Sequence, residues 1–100
     1  GRGDPFRGWA GSDEAIAPSF AAYNRGKKSV ALDTRSDMGK RAYLQMVART
    51  DVVIDNFRPG VLDEAGIGPE RLCAEHPGLI YCSISGLGST GPDRDLPTYD

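Results

Sequence analysis

Asp51-Val52-Val53-Ile54-Asp55-Asn56-Phe57-Arg58-Pro59-Gly60 is the stretch that decides the fold. Val52-Val53-Ile54 is β-branched throughout and shows no polar alternation, the pattern of a strand buried on both faces of a parallel sheet. The run breaks abruptly into an amide, an aromatic ring, a guanidinium and a Pro-Gly turn. In open α/β sheets, ligands bind in the crevice outside the carboxyl ends of the strands. Asn56, Phe57 and Arg58 therefore occupy a candidate binding edge.

Reading upstream, Ser36-Asp37 opens the clearest helix, which runs to about Thr50. Met38, Ala42, Leu44, Met46 and Val47 form its apolar face, with Lys40, Arg41 and Arg49 turned to water. Ser29-Val30-Ala31-Leu32-Asp33 reads as a strand, and Asn24 to Lys28 as a basic loop before it. An earlier helix starts at Ser12-Asp13-Glu14 and carries Ile16, Phe20 and Tyr23 at helical spacing despite Pro18. Reading downstream, two short helices are expected over Val61–Ala65 and Pro69–Glu75. The second has proline in its first turn and Pro77-Gly78 beyond its end. Leu79 to Ser85 makes a third strand. The order α-β-α-β-α-α-β predicts right-handed parallel crossovers in a doubly wound, Rossmann-like α/β domain.

The 100 residues allow one domain at most, and the chain reads as an excerpt, residues 1–100 being part of a larger domain. A net charge of −2 argues against nucleic acid as a partner. No apolar run approaches the roughly 20 residues of a membrane-spanning helix. No signal peptide is visible, though a segment lacking its true N-terminus would not show one. Cys73 and Cys82, without CxxC spacing, read as reduced and buried packing residues of an intracellular, cytoplasmic protein. One histidine and two separated cysteines make no metal cluster. His76, before Pro77, suits a helix end.

Two phosphate motifs fail on context. Gly86-Leu87-Gly88-Ser89-Thr90-Gly91 satisfies GxGxxG after a strand, but the nicotinamide or flavin fingerprint must open a helix, and Pro92, Asp93, Arg94, Asp95 and Pro97 follow instead. A glycine loop beside an active site fits better. Gly26-Lys27-Lys28-Ser29 has the end of a Walker A pattern, but its required earlier glycine is Ala21 and a strand follows. Asp, Glu and Ser residues form no recognisable acid–base pair, triad or nucleophile elbow. What remains is a convergence: Leu32-Asp33-Thr34-Arg35, Asn56-Phe57-Arg58 and Ser85-Gly86 each leave the carboxyl end of an expected strand. Parallel strands bring all three loops to one edge, with an apolar wall, an amide and two guanidinium forks suited to a nucleotide-like ligand. The plainer alternative is that Phe57 packs in the core and Arg35 is merely solvated.

Asn24 to Asp33, Asp51 to Gly60 and Leu79 to Gly86 together resemble the class III CoA-transferases, the family of formyl-CoA transferase, carnitine CoA-transferase and the α-methylacyl-CoA racemases. Gly3-Asp4-Pro5-Phe6-Arg7 and Leu62-Asp63-Glu64-Ala65-Gly66-Ile67 fit the same pattern, so the resemblance covers the whole chain. It implies a CoA-binding Rossmann-like domain, a second domain outside this sequence, and an interlocked homodimer. It also implies that acyl-CoA and a carboxylic acid acceptor are the partners, with no metal, nicotinamide or flavin.

Carried over by position, CoA contacts fall on Leu32, Arg35, Asn56 and Phe57. Arg58 adds a charge, and Arg35 stands where a relative has lysine. Glu64 departs from a cation found in some relatives. The family's aspartate nucleophile lies beyond residue 100 and is neither Asp95 nor Asp100. In the transferases that carboxylate exchanges acyl and CoA groups through covalent intermediates. Tyr99, placed with the CoA ester site, stands where the racemases carry a histidine base; a phenol is a poor base for α-proton abstraction, which favours transfer. A racemase, or a CoA-binding protein without catalysis, is the alternative.

Overall fold

The computed structural model describes residues 3–8 and 16–98. The chain divides into two compact units, residues 1–31 and 32–100. In the first, a 3-10 turn over Pro5–Gly8 precedes helix α1, Pro18–Tyr23. Here Pro18 opens the helix: its fixed φ and missing N–H suit the first turn. The expected start at Ser12–Glu14 lies outside the described residues. Ala17 N–H donates to the Arg7 carbonyl at 2.7 Å. Phe6 meets Phe20 and Tyr23 at centroid distances of 6.3 and 6.1 Å, and the Arg7 guanidinium stacks 4.4 Å from the Phe20 centroid.

The second unit contains α2 (Asp37–Val47), β1 (Val52–Asp55), α3 (Val61–Glu64), α4 (Pro69–Glu75) and β2 (Ile80–Ser83). The strands pair in parallel with Val52 opposite Ile80 and Asp55 opposite Ser83. This is the expected α/β arrangement, with one parallel crossover among the described residues. The strand expected over Ser29–Asp33 does not form: the described sheet has two strands, and a strand needs a ladder partner for its backbone groups. The boundary between the units falls inside that stretch.

Val47, Leu72 and Leu79 are the centre of the core, with Tyr43, Leu44, Val53 and Tyr81 packed around them. One sheet face therefore lies against α2 and α4. The other is bare: Ile54 is 66% and Ile80 63% exposed, and Val52 and Ile84 are also exposed. Burial on both faces, as expected from the unalternating run, is thus not met within these residues. Cys82, in register with Ile54, shares the bare face, and Cys73 lies on the outer side of α4; both thiols are free and exposed rather than buried. No helix among the described residues is long and apolar enough to cross a membrane.

Candidate functional site

Because β1 and β2 are parallel, the loops that leave Asp55 and Ser83 emerge at the same edge of the sheet. Asp55 organises the first loop. Its Oδ1 accepts the Phe57 N–H at 3.0 Å, an Asx turn that bends the chain out of the strand, and it also accepts from the Ser83 hydroxyl at 3.5 Å. Phe57 is 54% exposed, so its ring is a surface group and not part of the core.

A cavity of about 400 Å³ opens at this edge. Asp55, Tyr81 and Ser83 contribute from the strand ends, and Phe57 and Arg58 from the loop after β1. Leu62 and Asp63 of α3, Pro69 and Glu70 of α4, and Ser89, Thr90 and Arg94 of the last loop complete it. The Arg58 carbonyl accepts the Val61 N–H at 3.2 Å, while its guanidinium forms no hydrogen bond or ion pair with any described residue. Arg94 donates through Nε to Asp95 Oδ2 at 3.3 Å, which leaves both Nη groups available.

Tyr81 borders this cavity from the core side. Its hydroxyl is buried and makes no hydrogen bond of ordinary geometry. Burial, and secondarily the neighbouring Asp55 carboxylate, push its pKa far above that of a free phenol. The Asp55 charge acts through its field without a formal bond, since a nearby negative charge disfavours the phenolate. Tyr43, shifted upward by burial and by Asp55, behaves in the same way.

The first of the three expected loops is built differently. Ser36 caps α2: its Oγ accepts the Gly39 N–H at 3.0 Å and donates to the Asp33 carbonyl at 2.8 Å. Asp33 Oδ1 accepts the Arg35 N–H at 3.1 Å and faces Arg35 Nε at 3.3 Å. The backbone bond from Arg35, followed by its side chain, lowers the Asp33 pKa. The Arg35 side chain is 92% exposed and Leu32 is half-buried. The structure thus brings Phe57 and Arg58 together with the loop after β2. Leu32, Arg35 and exposed Asn56 do not line the cavity, and Leu32 and Arg35 lead into a helix cap instead of leaving a strand. Tyr99 lies outside the described residues. Sequence reading passed over Asp55, Tyr81, Ser83, Ser89, Thr90 and Arg94. Asp55 and the glycine loop stood in motifs already singled out, whereas the strand alternation that places Tyr81 inward carried no chemical signal.

The chain matches the family described as CoA-transferase family III over residues 1–100. This chain belongs to CoA-transferase family III. It is similar to the acetyl-CoA:oxalate CoA-transferase of Acetobacter aceti, 41% identical over 102 residues, covering 100% of this chain and 26% of that protein. It is similar also to the succinyl-CoA–D-citramalate CoA-transferase of Chloroflexus aurantiacus, 42% identical over 96 residues, covering 95% and 24%. Among solved structures, a CAIB/BAIF family protein from Brucella suis superposes with a TM-score of 0.87 at 43% identity, covering 99% of this chain and 28% of that one. The chain thus spans about a quarter of the length of these family III relatives.

Proposed function

We propose that this segment anchors the CoA ester in an enzyme that moves CoA from an acyl-CoA to a carboxylic acid. The observation that supports it most directly is the cavity at the carboxyl ends of two parallel strands, with the Phe57 ring and an unpaired Arg58 on its wall, in a family III chain. Relatives named for oxalate and for D-citramalate share this segment at similar identity. That supports a common CoA-binding role for it and a choice of acid made elsewhere. Phe57 offers a face for the adenine or pantetheine, and Arg58 a fork for phosphate. Leu32, Arg35 and Asn56 belong to the same proposal as contacts along the rest of an extended ligand, and Tyr99 as a wall near the ester.

In this reading the segment is part of a CoA-binding domain, and an aspartate beyond residue 100 performs the chemistry. Its carboxylate attacks the thioester carbonyl, releasing CoA thiolate and forming a mixed anhydride. The thiolate attacks the aspartyl carbonyl, giving an enzyme thioester and free donor acid. The acceptor carboxylate displaces the thiolate, which then takes the new acyl group and restores the aspartate. Binding energy from the remote nucleotide holds the thioester for attack. An interlocked homodimer and a cytoplasmic setting complete the proposal; the bare sheet face of Val52, Ile54 and Ile80 is apolar surface that such an assembly could cover.

The test incubates the polypeptide carrying this sequence with acyl-CoA and a panel of carboxylates in D2O, read by mass spectrometry. The expected product is an acceptor-CoA thioester without deuterium at the α-carbon. Deuterium at that carbon without transfer would replace this reading by racemisation.

A further inference from the structure

Resting on the CoA-binding reading, we infer that the loop from Gly86 to Thr98 is the second half of the nucleotide site. It presents Arg94, Ser89 and Thr90 to the phosphates of CoA opposite Arg58. Its shape is set at its ends. Thr98 packs so closely on Gly86 that a β-carbon at Gly86 would overlap the Thr98 side chain. A loop whose ends meet in this way has the outline of an Ω-type loop, here with residues 86–98 exposed. Between those ends, Gly88 and Gly91, at φ of 86° and 97°, bracket Ser89-Thr90 in a backbone path that other residues rarely take.

The charges around the cavity are sorted by element. Both guanidiniums come from the loops that leave the strands, Arg58 after β1 and Arg94 after β2. The carboxylates come from the other elements: Asp55 ends β1, Asp63 lies in α3 against Gly68, and Glu70 sits in the first turn of α4. Asp55 is already committed to the Phe57 N–H and the Ser83 hydroxyl. A bare inorganic anion gains little from such a mixed lining. A phosphorylated nucleoside matches it, because its phosphates accept from the guanidiniums and hydroxyls while its ribose hydroxyls and amino group donate to carboxylates. The glycine motif thereby acquires a role without the helix that a dinucleotide fingerprint requires.

The test is calorimetric titration of the polypeptide carrying this sequence with CoA, dephospho-CoA and pantetheine, comparing the wild type with Arg94→Gln, Arg94→Lys and Arg49→Gln. Arg49 is exposed just after α2 and lines no part of the cavity, so its variant controls for lost charge alone. Arg94→Gln is expected to weaken CoA binding about tenfold and leave pantetheine unchanged, with Arg94→Lys in between. A penalty that vanishes with dephospho-CoA assigns Arg94 to the 3′-phosphate; one that persists assigns it to the diphosphate. Equal CoA affinity for Arg94→Gln and wild type, or equal losses for CoA and pantetheine, would overturn the inference while sparing the CoA-binding reading. Failure of the wild type to bind CoA would overturn both.

Discussion

Replacing Gly39 by alanine sets two structural effects of opposite sign against each other. Gly39 is a buried residue in the first turn of α2, and helix propensity alone favours alanine there by about 1 kcal/mol. A methyl group at Gly39, however, would overlap the carbonyl oxygen of Asp33, which is backbone and cannot swing aside. That carbonyl accepts both the Ser36 N–H at 3.0 Å and the Ser36 hydroxyl at 2.8 Å, and the same hydroxyl accepts the Gly39 N–H. Moving the turn gives up the cap, which contributes about 1 kcal/mol. It also weakens two partly solvated hydrogen bonds, each contributing roughly 0.5–1 kcal/mol. The losses exceed the propensity gain, so the net effect is a destabilisation of about 1–2 kcal/mol. Urea unfolding of the polypeptide carrying this sequence measures it. Ser36→Ala removes the cap together with the hydroxyl's bond to the Asp33 carbonyl and should cost about 1–2 kcal/mol. The double variant should fall well short of the sum, because both changes release the same turn. A Gly39→Ala protein as stable as wild type, or more stable, would refute the claim that Asp33 packs on the helix start.

Phe57→Ala should leave stability within about 0.5 kcal/mol of wild type, since the ring is mostly exposed, while raising the Michaelis constant for CoA esters several-fold. An unchanged constant removes the ring from the site. Gly86→Ala should displace Thr98, open the last loop and weaken CoA binding with little change in pantetheine binding; equal binding of CoA would show that the loop ends need not meet. In an alkaline absorbance titration, Tyr81 should ionise well above the range of a free phenol, and Tyr81→Phe should delete that step. The sign follows from a folded pKa above the unfolded value of about 10: the neutral phenol's contribution to stability is complete below pH 10 and is lost as pH rises beyond it. Asp55→Ala should bring that step to lower pH without restoring an ordinary phenol, because burial is the larger cause.

The second unit was legible in the sequence because its signals are local. Ser36 as cap, the apolar periodicity of α2, Pro69 at the start of α4 and the β-branched run of β1 each specify an element through neighbours a few residues away. Ser29–Asp33 carries a similar local strand signal, yet a strand exists only when another supplies its hydrogen bonds, and no local pattern reports whether that partner is present. Cys73 and Cys82 failed for the same reason, since their exposure depends on what packs across α4 and the bare sheet face. At the cavity, the placement of Phe57 and Arg58 just past a strand end was legible from strand-end logic alone. Arg94 was not, because the route that returns it to the cavity depends on Gly86 and Thr98 meeting across a loop.

Asp55 ties the packing of this edge to the ligand wall proposed for it. Its backbone ends the ladder opposite Ser83, its carboxylate turns the chain at Phe57, and its charge bears on two core phenols, Tyr81 and Tyr43. The position of the Phe57 ring is therefore referred to the sheet through one residue, and not to a freely moving loop. A ligand that presses on Phe57 works against the Asx turn and the strand end together. Pre-organisation of this kind reduces the ordering cost of binding. It requires a side chain that accepts the Phe57 N–H two residues on, which Asp or Asn supplies and Glu, one carbon longer, supplies poorly. The residue that closes the strand is thus chosen by the turn that follows it.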